Sequence, residues 1–280
     1  MPLHLASLHV YPIKGAAGTA PSEWQVDVRG FRYDRRWMLV APSGEFITQR
    51  ENPALALIRP QFQPPHLVIE APGMSPLTIA LAPMGGRPLN VRIWDDRVDA
   101  LLPDQRADQW FTDYLGAPTL LAWMPDACVR PVDPRYAEPT DQASFADAFP
   151  FLVIAEASLD DLNSRLAEPL PMNRFRPNLV VGGVTPFAED EWRRIRIGSM
   201  EFRVVKPCAR CVITTTNQLT GARGVEPLRT LAAYRRIDGK VMFGQNVLHD
   251  GPGRLALGDL VNVVEMADKA GSIARGGDST

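Results

Sequence analysis

Residues 206–216 form the most informative stretch of the chain and read Lys206-Pro207-Cys208-Ala209-Arg210-Cys211-Val212-Ile213-Thr214-Thr215-Thr216. Two cysteines stand three positions apart with a cation between them. A thiolate is the nucleophile or metal ligand of cysteine chemistry, and positive charge nearby, here from Lys206 and Arg210, stabilises it. The β-branched run after Cys211 favours a strand. The stretch therefore makes Cys211 a candidate functional thiolate next to a β-strand.

The Cys-x-x-Cys spacing has competing interpretations. A zinc site needs four ligands, whereas the third cysteine, Cys128, stands alone and the four histidines are scattered. A thioredoxin-like redox pair should open a helix, but the residues after Cys211 favour a strand. Two buried structural cysteines are the remaining alternative.

Length and composition limit the class of protein. The 280 residues favour two domains, and 45% hydrophobic and 22% charged residues are ordinary for a globular protein. The net charge of -2 argues against nucleic acid or an anionic membrane as partner. Residues 1–10 lack the features of a signal peptide, no apolar run approaches the roughly twenty residues that span a bilayer, and three cysteines form no disulfide framework. We expect a cytoplasmic protein.

Short β-rich runs separated by turn-forming residues dominate the first part of the chain. The predicted strands are 39–40, 45–48, 67–70, 77–80 and 89–92, and one helix is predicted near 104–115. Residues 125–146 are rich in Pro, Asp and Arg, which predicts a long ordered loop or linker. The predicted organisation is a β-barrel-like domain over 1–120, a linker over 121–145, a second domain over 146–268 and a flexible tail over 269–280.

The second part also predicts mostly strands. They cover 151–154, 178–181, 193–198, 200–205, 211–216, 241–247 and 259–264. Ser158 resembles the first residue of a capping box that opens a helix through Leu166, and a second helix is predicted near 226–236, with Pro227 in its first turn. The fold class is therefore α+β, mostly β, with barrel-like sheets and a few short helices. No phosphate-binding loop or dinucleotide motif is present.

Several cationic residues lie beside strands or prolines rather than on helix faces. They are Lys14, which precedes the small-residue loop Gly15–Gly18, and Arg35, Arg176 and Arg210. Arginine forks and a lysine charge suit phosphate oxygens, so a phosphate-bearing ligand would bring these residues together. The alternative is local pairing, for instance of Arg35 with Asp34 or of Arg176 with Asp147.

Several segments match a known family in order along the chain. They are Tyr11-Pro12-Ile13-Lys14, Asp34-Arg35-Arg36-Trp37, Thr48-Gln49-Arg50, residues 145–151, residues 156–163, residues 173–178, residues 208–216 and Phe243-Gly244-Gln245-Asn246. Together they resemble MOSC-domain proteins with an N-terminal MOSC β-barrel domain, in particular the mitochondrial amidoxime-reducing components and their bacterial counterparts. The resemblance runs from about residue 3 to about residue 266.

The resemblance implies a molybdenum cofactor and assigns residues to it. Cys211 would be the molybdenum ligand and the catalytic residue, and Cys208 its neighbour. Lys14 and Arg35 would hold the pterin phosphate, and Gly15 stands where the family often has a serine, which removes one hydroxyl contact. The positions around the pterin and the metal would be Arg176, Arg210, Asn173, Asp147 and Ala209.

The same resemblance implies a reductase of N-hydroxylated compounds such as amidoximes, hydroxylamines and N-hydroxylated bases. Three cysteines cannot hold a plant-type iron–sulfur cluster, so an external haem, flavin or iron–sulfur protein is expected to supply electrons. Two alternatives remain open. One is a molybdenum-cofactor carrier or sulfuration module, and the other is a metal-free thiol protein that uses Cys208 and Cys211.

Overall fold

A computed structural model of the chain describes residues 2–267. Strands predominate in it. The strands are β1 (His4–Leu8), β2 (Glu23–Asp27), β3 (Gly30–Phe31), β4 (Trp37–Val40), β5 (Arg59–Gln63), β6 (His66–Glu70), β7 (Leu77–Ala80), β8 (Arg87–Ile93), β9 (Asp96–Leu102), β10 (Leu120–Trp123), β11 (Phe151–Ala155), β12 (Leu179–Gly182), β13 (Trp192–Ile197), β14 (Met200–Ala209), β15 (Arg236–Ile237), β16 (Lys240–His249), β17 (Gly253–Ala256) and β18 (Val261–Met266). Within the described residues the α-helices are α1 (Gln105–Leu115), α2 (Glu156–Asn163) and α3 (Leu228–Tyr234). The predicted class, α+β and mostly β, is confirmed.

The largest sheet curls into a nearly closed barrel. Its strand order is β1-β12-β11-β16-β14-β13-β18, with β15 paired to β16. The two ends meet because Leu5 N–H donates to Asp259 O at 2.9 Å and Val261 N–H donates to Leu3 O at 2.9 Å. Closure of this kind leaves few unpaired edge groups. The N-terminal strand thus completes the sheet of the second half of the chain.

Smaller sheets build the remainder. Their strand orders are β4-β10-β9-β8, β5-β6-β7 and β17-β2-β3. Helix α1 covers a hydrophobic core in the first part of the chain and lies where the sequence predicts it. Its start is capped by the Asp104 carboxylate, which accepts the Arg106 N–H at 2.9 Å, and Gly116 ends it in the left-handed conformation with φ +68°. Ala107 and Phe111 are its fully buried residues.

The predicted strand at 211–216 is wrong, because residues Val212–Thr215 form a short 3₁₀ helix. The Thr214 hydroxyl donates to Cys211 O at 3.0 Å, and the Thr215 hydroxyl donates to Val212 O at 2.8 Å. Threonine hydroxyls that bond the local backbone compete with strand pairing. The β-branched run therefore turns directly after Cys211.

Two further local predictions are wrong. Ser158 does not cap a helix, since α2 begins at Glu156 and the Ser158 hydroxyl instead donates to the buried Glu189 carboxylate at 2.8 Å. The helix also ends at Asn163 rather than Leu166. Residues 45–48 form only isolated bridges, because Phe46 and Glu45 pair with different neighbouring strands.

The first half of the chain ends with β10, and the second half begins with β11. The connection between the two halves begins at Met124, since residues 121–123 belong to β10. Arg130 ties this segment together, because its Nη1 donates to Ser144 O at 2.8 Å and to Ala146 O at 2.6 Å. The predicted tail at 269–280 lies outside the described residues. Across residues 2–267, the helices are too short or too polar to traverse a lipid bilayer.

Candidate functional site: a cationic cavity beside Cys211

A cavity of about 190 Å³ opens between the two halves of the chain. Its lining includes Lys14, Gly15, Arg35, residues 47–50, residues 146–149, Arg176, Asn178, residues 208–211 and Asn246. Five of the lining side chains are cationic, namely Lys14, Arg35, Arg50, Arg176 and Arg210. Asp147 is the one carboxylate among the residues that line it. The cavity is therefore suited to an anionic ligand.

Lys14 lies at the inner wall and is only 8% exposed. Its backbone N–H donates to Trp37 O at 2.8 Å, and its ammonium forms a close ion pair with Asp147. Burial lowers the pKa of Lys14 to about 8, although the Asp147 charge opposes this shift. Partial desolvation by the surrounding walls acts against ionisation of Asp147, but the charges of Lys14 and Arg50 outweigh it and hold the pKa of that carboxyl below its usual range.

Arg35 adopts a left-handed backbone with φ +50°. Its N–H donates to Tyr11 O at 2.6 Å, and its carbonyl accepts the Phe145 N–H at 2.9 Å, which holds this strained conformation in place. The guanidinium pairs closely with Asp34 and reaches Asn178 Oδ1 at 3.3 Å. The predicted pairing with Asp34 is thus present, and Arg35 lines the cavity as well.

Arg176 also has a left-handed backbone, with φ +55°, and shares an aromatic platform with Arg35. The Tyr11 ring lies 4.3 Å from Cζ of Arg176 and 4.6 Å from Cζ of Arg35, within cation–π range of both. Arg176 Nη1 donates to Ala16 O at 2.6 Å, not to Asp147, so the predicted local pairing with that carboxylate is wrong. Within residues 2–267, Arg176 Nη2 is buried without a partner.

Cys211 follows β14 and caps the 3₁₀ turn. Arg50 Nη2 lies 3.5 Å from its Sγ, so the charge beside this thiol comes from Arg50. Arg210 Nη1 instead donates to Cys208 Sγ at 2.9 Å. Lys206 was expected beside the thiols, but its Nζ lies over the Tyr136 ring, 4.5 Å from the ring centroid. Sequence reasoning assigned Arg50 no role, although it belongs to the matched segment Thr48-Gln49-Arg50.

The cavity brings together all but one of the predicted site residues. Those present are Lys14, Gly15, Arg35, Asp147, Arg176, Ala209, Arg210 and Cys211. Asn173 is exposed on the turn Met172–Arg174 and does not line the cavity. Asn178, from the same matched segment, lines it instead and orients Arg35. Gly15 has φ +83°, a conformation that favours glycine, and a Cβ there would lie 2.9 Å from Leu55 Cδ2, so that a larger residue would also require this methyl to shift.

The protein offers a metal few ligands of its own. Cys208 and Cys211 are free thiols. Over residues 2–267, no group of three or more His, Cys, Asp or Glu side chains could hold a metal ion. A metal bound at Cys211 would therefore have to bring other ligands with it.

The chain is similar to known proteins over almost all of its length. Residues 3–118 match the MOSC N-terminal beta barrel domain, and residues 140–262 match the MOSC domain. Mitochondrial amidoxime-reducing component 1 of Mus musculus is 34% identical over 275 residues, which cover 92% of this chain and 81% of the mouse protein. The molybdenum cofactor sulfurase of Oryza sativa subsp. japonica is 33% identical over 263 residues, covering 86% of this chain but 32% of the sulfurase.

Among solved structures, the YUAD protein from Bacillus subtilis superposes with a TM-score of 0.44 and 10% identity, covering 93% of this chain and 94% of that one. The cavity draws its lining from both matched regions. The extent of these matches establishes that the chain belongs to the family of MOSC-domain proteins that carry a MOSC N-terminal β-barrel domain.

Proposed function

We propose that the protein is a molybdenum-cofactor-dependent reductase of N-hydroxylated compounds. The observation that carries this proposal is one cavity in which a cysteine and an excess of cations meet, five cationic side chains against one carboxylate. The similarity to proteins named amidoxime-reducing components supports the choice of substrate class.

The residues of the cavity fit the cofactor. A pterin phosphate needs cations, and Lys14 and Arg35 lie on the inner wall. Arg176 Nη2 and Arg210 Nε are buried and, among residues 2–267, have no partner, which leaves unused donor capacity around the cavity. Because buried polar groups are normally satisfied, these atoms favour a polar ligand. Cys211 adds a soft sulfur donor of the kind that molybdenum accepts.

In this proposal Lys14 and Arg35 would hold the phosphate, Arg176 and Arg210 would flank the pterin, and Cys211 would ligate the metal. When bound, the cofactor would supply the two-electron chemistry that takes oxygen from nitrogen. The net reaction for an amidoxime is R–C(NH2)=N–OH + 2 e⁻ + 2 H⁺ → R–C(NH2)=NH + H2O. The electrons would come from an external haem, flavin or iron–sulfur protein.

The remaining role of the chain is electrostatic. Asp147 stays ionised at neutral pH, because the neighbouring cations keep its pKa low, so it accepts hydrogen bonds and does not supply the protons. Its charge offsets part of the cationic excess in the cofactor-free cavity. The protons would then enter with solvent through the open side, where the Asp147 side chain is 56% exposed.

The test combines composition with turnover. Purified protein should contain molybdenum and pterin and should reduce benzamidoxime to benzamidine with a reduced dye as donor. Cys211→Ser should lose the metal and the activity, whereas Cys128→Ser, which changes a free cysteine away from the cavity, should keep both. If Cys211→Ser kept both, Cys211 would not be the ligand.

The sulfurase similarity supports one competing function, a cofactor carrier or sulfuration module. Protein that is loaded with cofactor, inactive on benzamidoxime and able to pass the cofactor to an apoenzyme would establish that alternative. Protein with reactive thiols and without molybdenum, even when it is made in cells that assemble the cofactor, would favour the metal-free thiol function.

A further inference from the structure

Arg50 is held in place from its backbone outward. Its N–H donates to Thr48 Oγ1 at 2.9 Å, and its carbonyl accepts from Arg223 Nη1 at 2.9 Å. The preceding residue, Gln49, is 1% exposed and bonds Gly15 O through its side-chain amide. The segment that presents Arg50 to the cavity is therefore packed between the two halves of the chain.

The guanidinium of Arg50 bridges the mouth and the interior of the cavity. Its Cζ lies 4.4 Å from the centroid of the Trp94 ring, and its Nη2 lies 3.5 Å from Cys211 Sγ and 4.0 Å from Asp147 Oδ2. The side chain is 28% exposed, whereas those of Lys14 and Arg35 are 10% and 13% exposed. Arg50 is thus more accessible to an incoming small molecule than those two cations.

Part of this guanidinium is unused. Nη2 contacts the thiol and the carboxylate, but within residues 2–267 no group accepts a hydrogen bond from Nε or Nη1. Arginine presents its N–H donors in a rigid planar fork, and because Nε and Nη1 are not among the buried atoms without a partner in the described part of the chain, they are open to solvent or to an incoming ligand. The free donors belong to the same guanidinium whose Nη2 lies 3.5 Å from the sulfur that is proposed to ligate the metal.

Trp94 forms an aromatic wall next to this fork, at the mouth and just outside the residues that line the cavity. It lies at the tip of the β8–β9 hairpin, is 39% exposed and has a left-handed backbone with φ +55°. Its Nε1 donates to Asp147 Oδ1 at 3.3 Å, and the Phe46 ring packs against it edge-on at 5.2 Å between centroids. The indole is therefore oriented by contacts on several sides while part of its surface remains open.

We propose that Arg50 positions the substrate, with its free guanidinium donors bonding the oxygen of the N–O group beside Cys211 while Trp94 packs against the flat part of the molecule. This inference rests on the proposed function and adds the residues that select the substrate. The site then favours an N-hydroxyl group on a planar, conjugated carbon carrying an aromatic substituent over a small aliphatic one.

The first experiment compares Arg50→Ala and Arg50→Lys with the wild type. Metal and pterin content should be unchanged in both. In the absence of reductant, calorimetric titration should show benzamidoxime binding weakened about 10-fold to 100-fold in Arg50→Ala, the range expected for lost charged hydrogen bonds. The affinity of Arg50→Lys, which keeps the charge but not the planar fork, should lie between those of the wild type and Arg50→Ala. KM should rise in parallel with the dissociation constant.

A matched control is Arg97→Ala, which removes an exposed arginine of the β8–β9 hairpin that lies away from the cavity. It should change neither the dissociation constant nor KM for benzamidoxime. A loss of metal or pterin in Arg50→Lys would overturn the proposal, because Arg50 would then hold the cofactor. Unchanged binding and KM in Arg50→Ala would also overturn it. Failure of the wild type to reduce benzamidoxime would instead count against the proposed function.

The second experiment tests the aromatic wall. Trp94→Ala should raise KM for benzamidoxime roughly 3-fold to 10-fold, as expected for a lost aromatic contact, and leave KM for acetamidoxime nearly unchanged. Trp94→Phe, which keeps an aromatic ring, should retain most of the preference. Equal changes for both substrates in Trp94→Ala would show that Trp94 maintains the structure of the mouth and does not select the substrate.

Discussion

The carboxylate of Asp34 and the guanidinium of Arg35, neighbours in sequence, form a buried ion pair behind the cavity. Asp34 is 1% exposed in its side chain and also accepts the Tyr11 N–H at 2.7 Å. One carboxylate thereby orients both a cavity arginine and the segment after β1 that carries Tyr11. Burial raises the pKa of Asp34 even though Arg35 opposes the shift. The two charges therefore lose hydration free energy, and in return the ion pair fixes the position of Arg35.

Removing this carboxylate should be costly. Asp34→Ala leaves a buried guanidinium unpaired, which typically costs about 3–5 kcal/mol of unfolding free energy. Glu23→Ala breaks an exposed pair with Arg254 and should cost at most about 0.5 kcal/mol. Urea unfolding of both variants measures the difference. Equal stability of the two would show that the Asp34–Arg35 pair is not a structural anchor.

Anion binding should depend on pH through Lys14. Burial lowers its pKa to about 8, so Lys14 loses its charge as the pH rises through that value, and an anion binds the charged form more tightly. The affinity of cofactor-free protein for sulfate, a phosphate mimic that does not titrate in this range, should fall up to ~10-fold per pH unit above pH ~8.

Lys14→Arg should remove most of this pH dependence, because arginine stays charged over that range. Calorimetric titration with sulfate from about pH 7 to about pH 9 measures both proteins. A wild-type affinity that is flat over this interval would mean that Lys14 does not contact the anion.

Tyr11 should act as a platform for two arginines. Its ring lies within cation–π range of Arg35 and Arg176, and its hydroxyl donates to Pro177 O at 3.0 Å. Tyr11→Phe should lose about 1 kcal/mol of stability with the hydrogen bond but keep sulfate affinity. Tyr11→Leu should weaken sulfate binding roughly 10-fold, since desolvated cation–π contacts are worth up to ~2 kcal/mol. Identical sulfate affinities in the two variants would exclude the ring as a platform.

Arg174 should hold the turn that carries Cys211. It is 6% exposed, and it donates through Nε to Thr214 O at 2.7 Å and through Nη2 to Glu226 O at 3.1 Å. Arg174→Met should lower the free energy of unfolding by about 2–3 kcal/mol, because the loss of charged hydrogen bonds leaves buried carbonyls unpaired. It should also lower the molybdenum content.

Arg229→Met provides the control, since Arg229 is 74% exposed and pairs with Glu226 at the surface. Thermal unfolding and metal analysis measure both variants. Full molybdenum content in a destabilised Arg174→Met protein would separate the stability of the turn from ligation at Cys211.

Much of the candidate site could be predicted because the chemistry belongs to individual residues. The thiol of Cys211 and the cations Lys14, Arg35 and Arg210 stand in segments whose composition already indicates an anionic ligand. Helix α1 was predictable for a similar reason, since an acidic cap and a terminal glycine are local signals. Asn173 does not line the cavity, because a matched segment does not say which of its residues faces inward.

The sequence by itself determined the fold class and which cationic and thiol side chains are available to a site, because strand patterning, caps and side-chain chemistry act over a few residues. Tertiary structure alone decided that Arg50, 161 positions away, lies against Cys211, and that Arg174 bonds Thr214 O, a long-range contact that adds to the local hydroxyl bonds that turn Val212–Thr215. The physical reason is that these outcomes depend on which long-range contacts satisfy the buried polar groups, and such contacts exist only after the two halves of the chain have packed together.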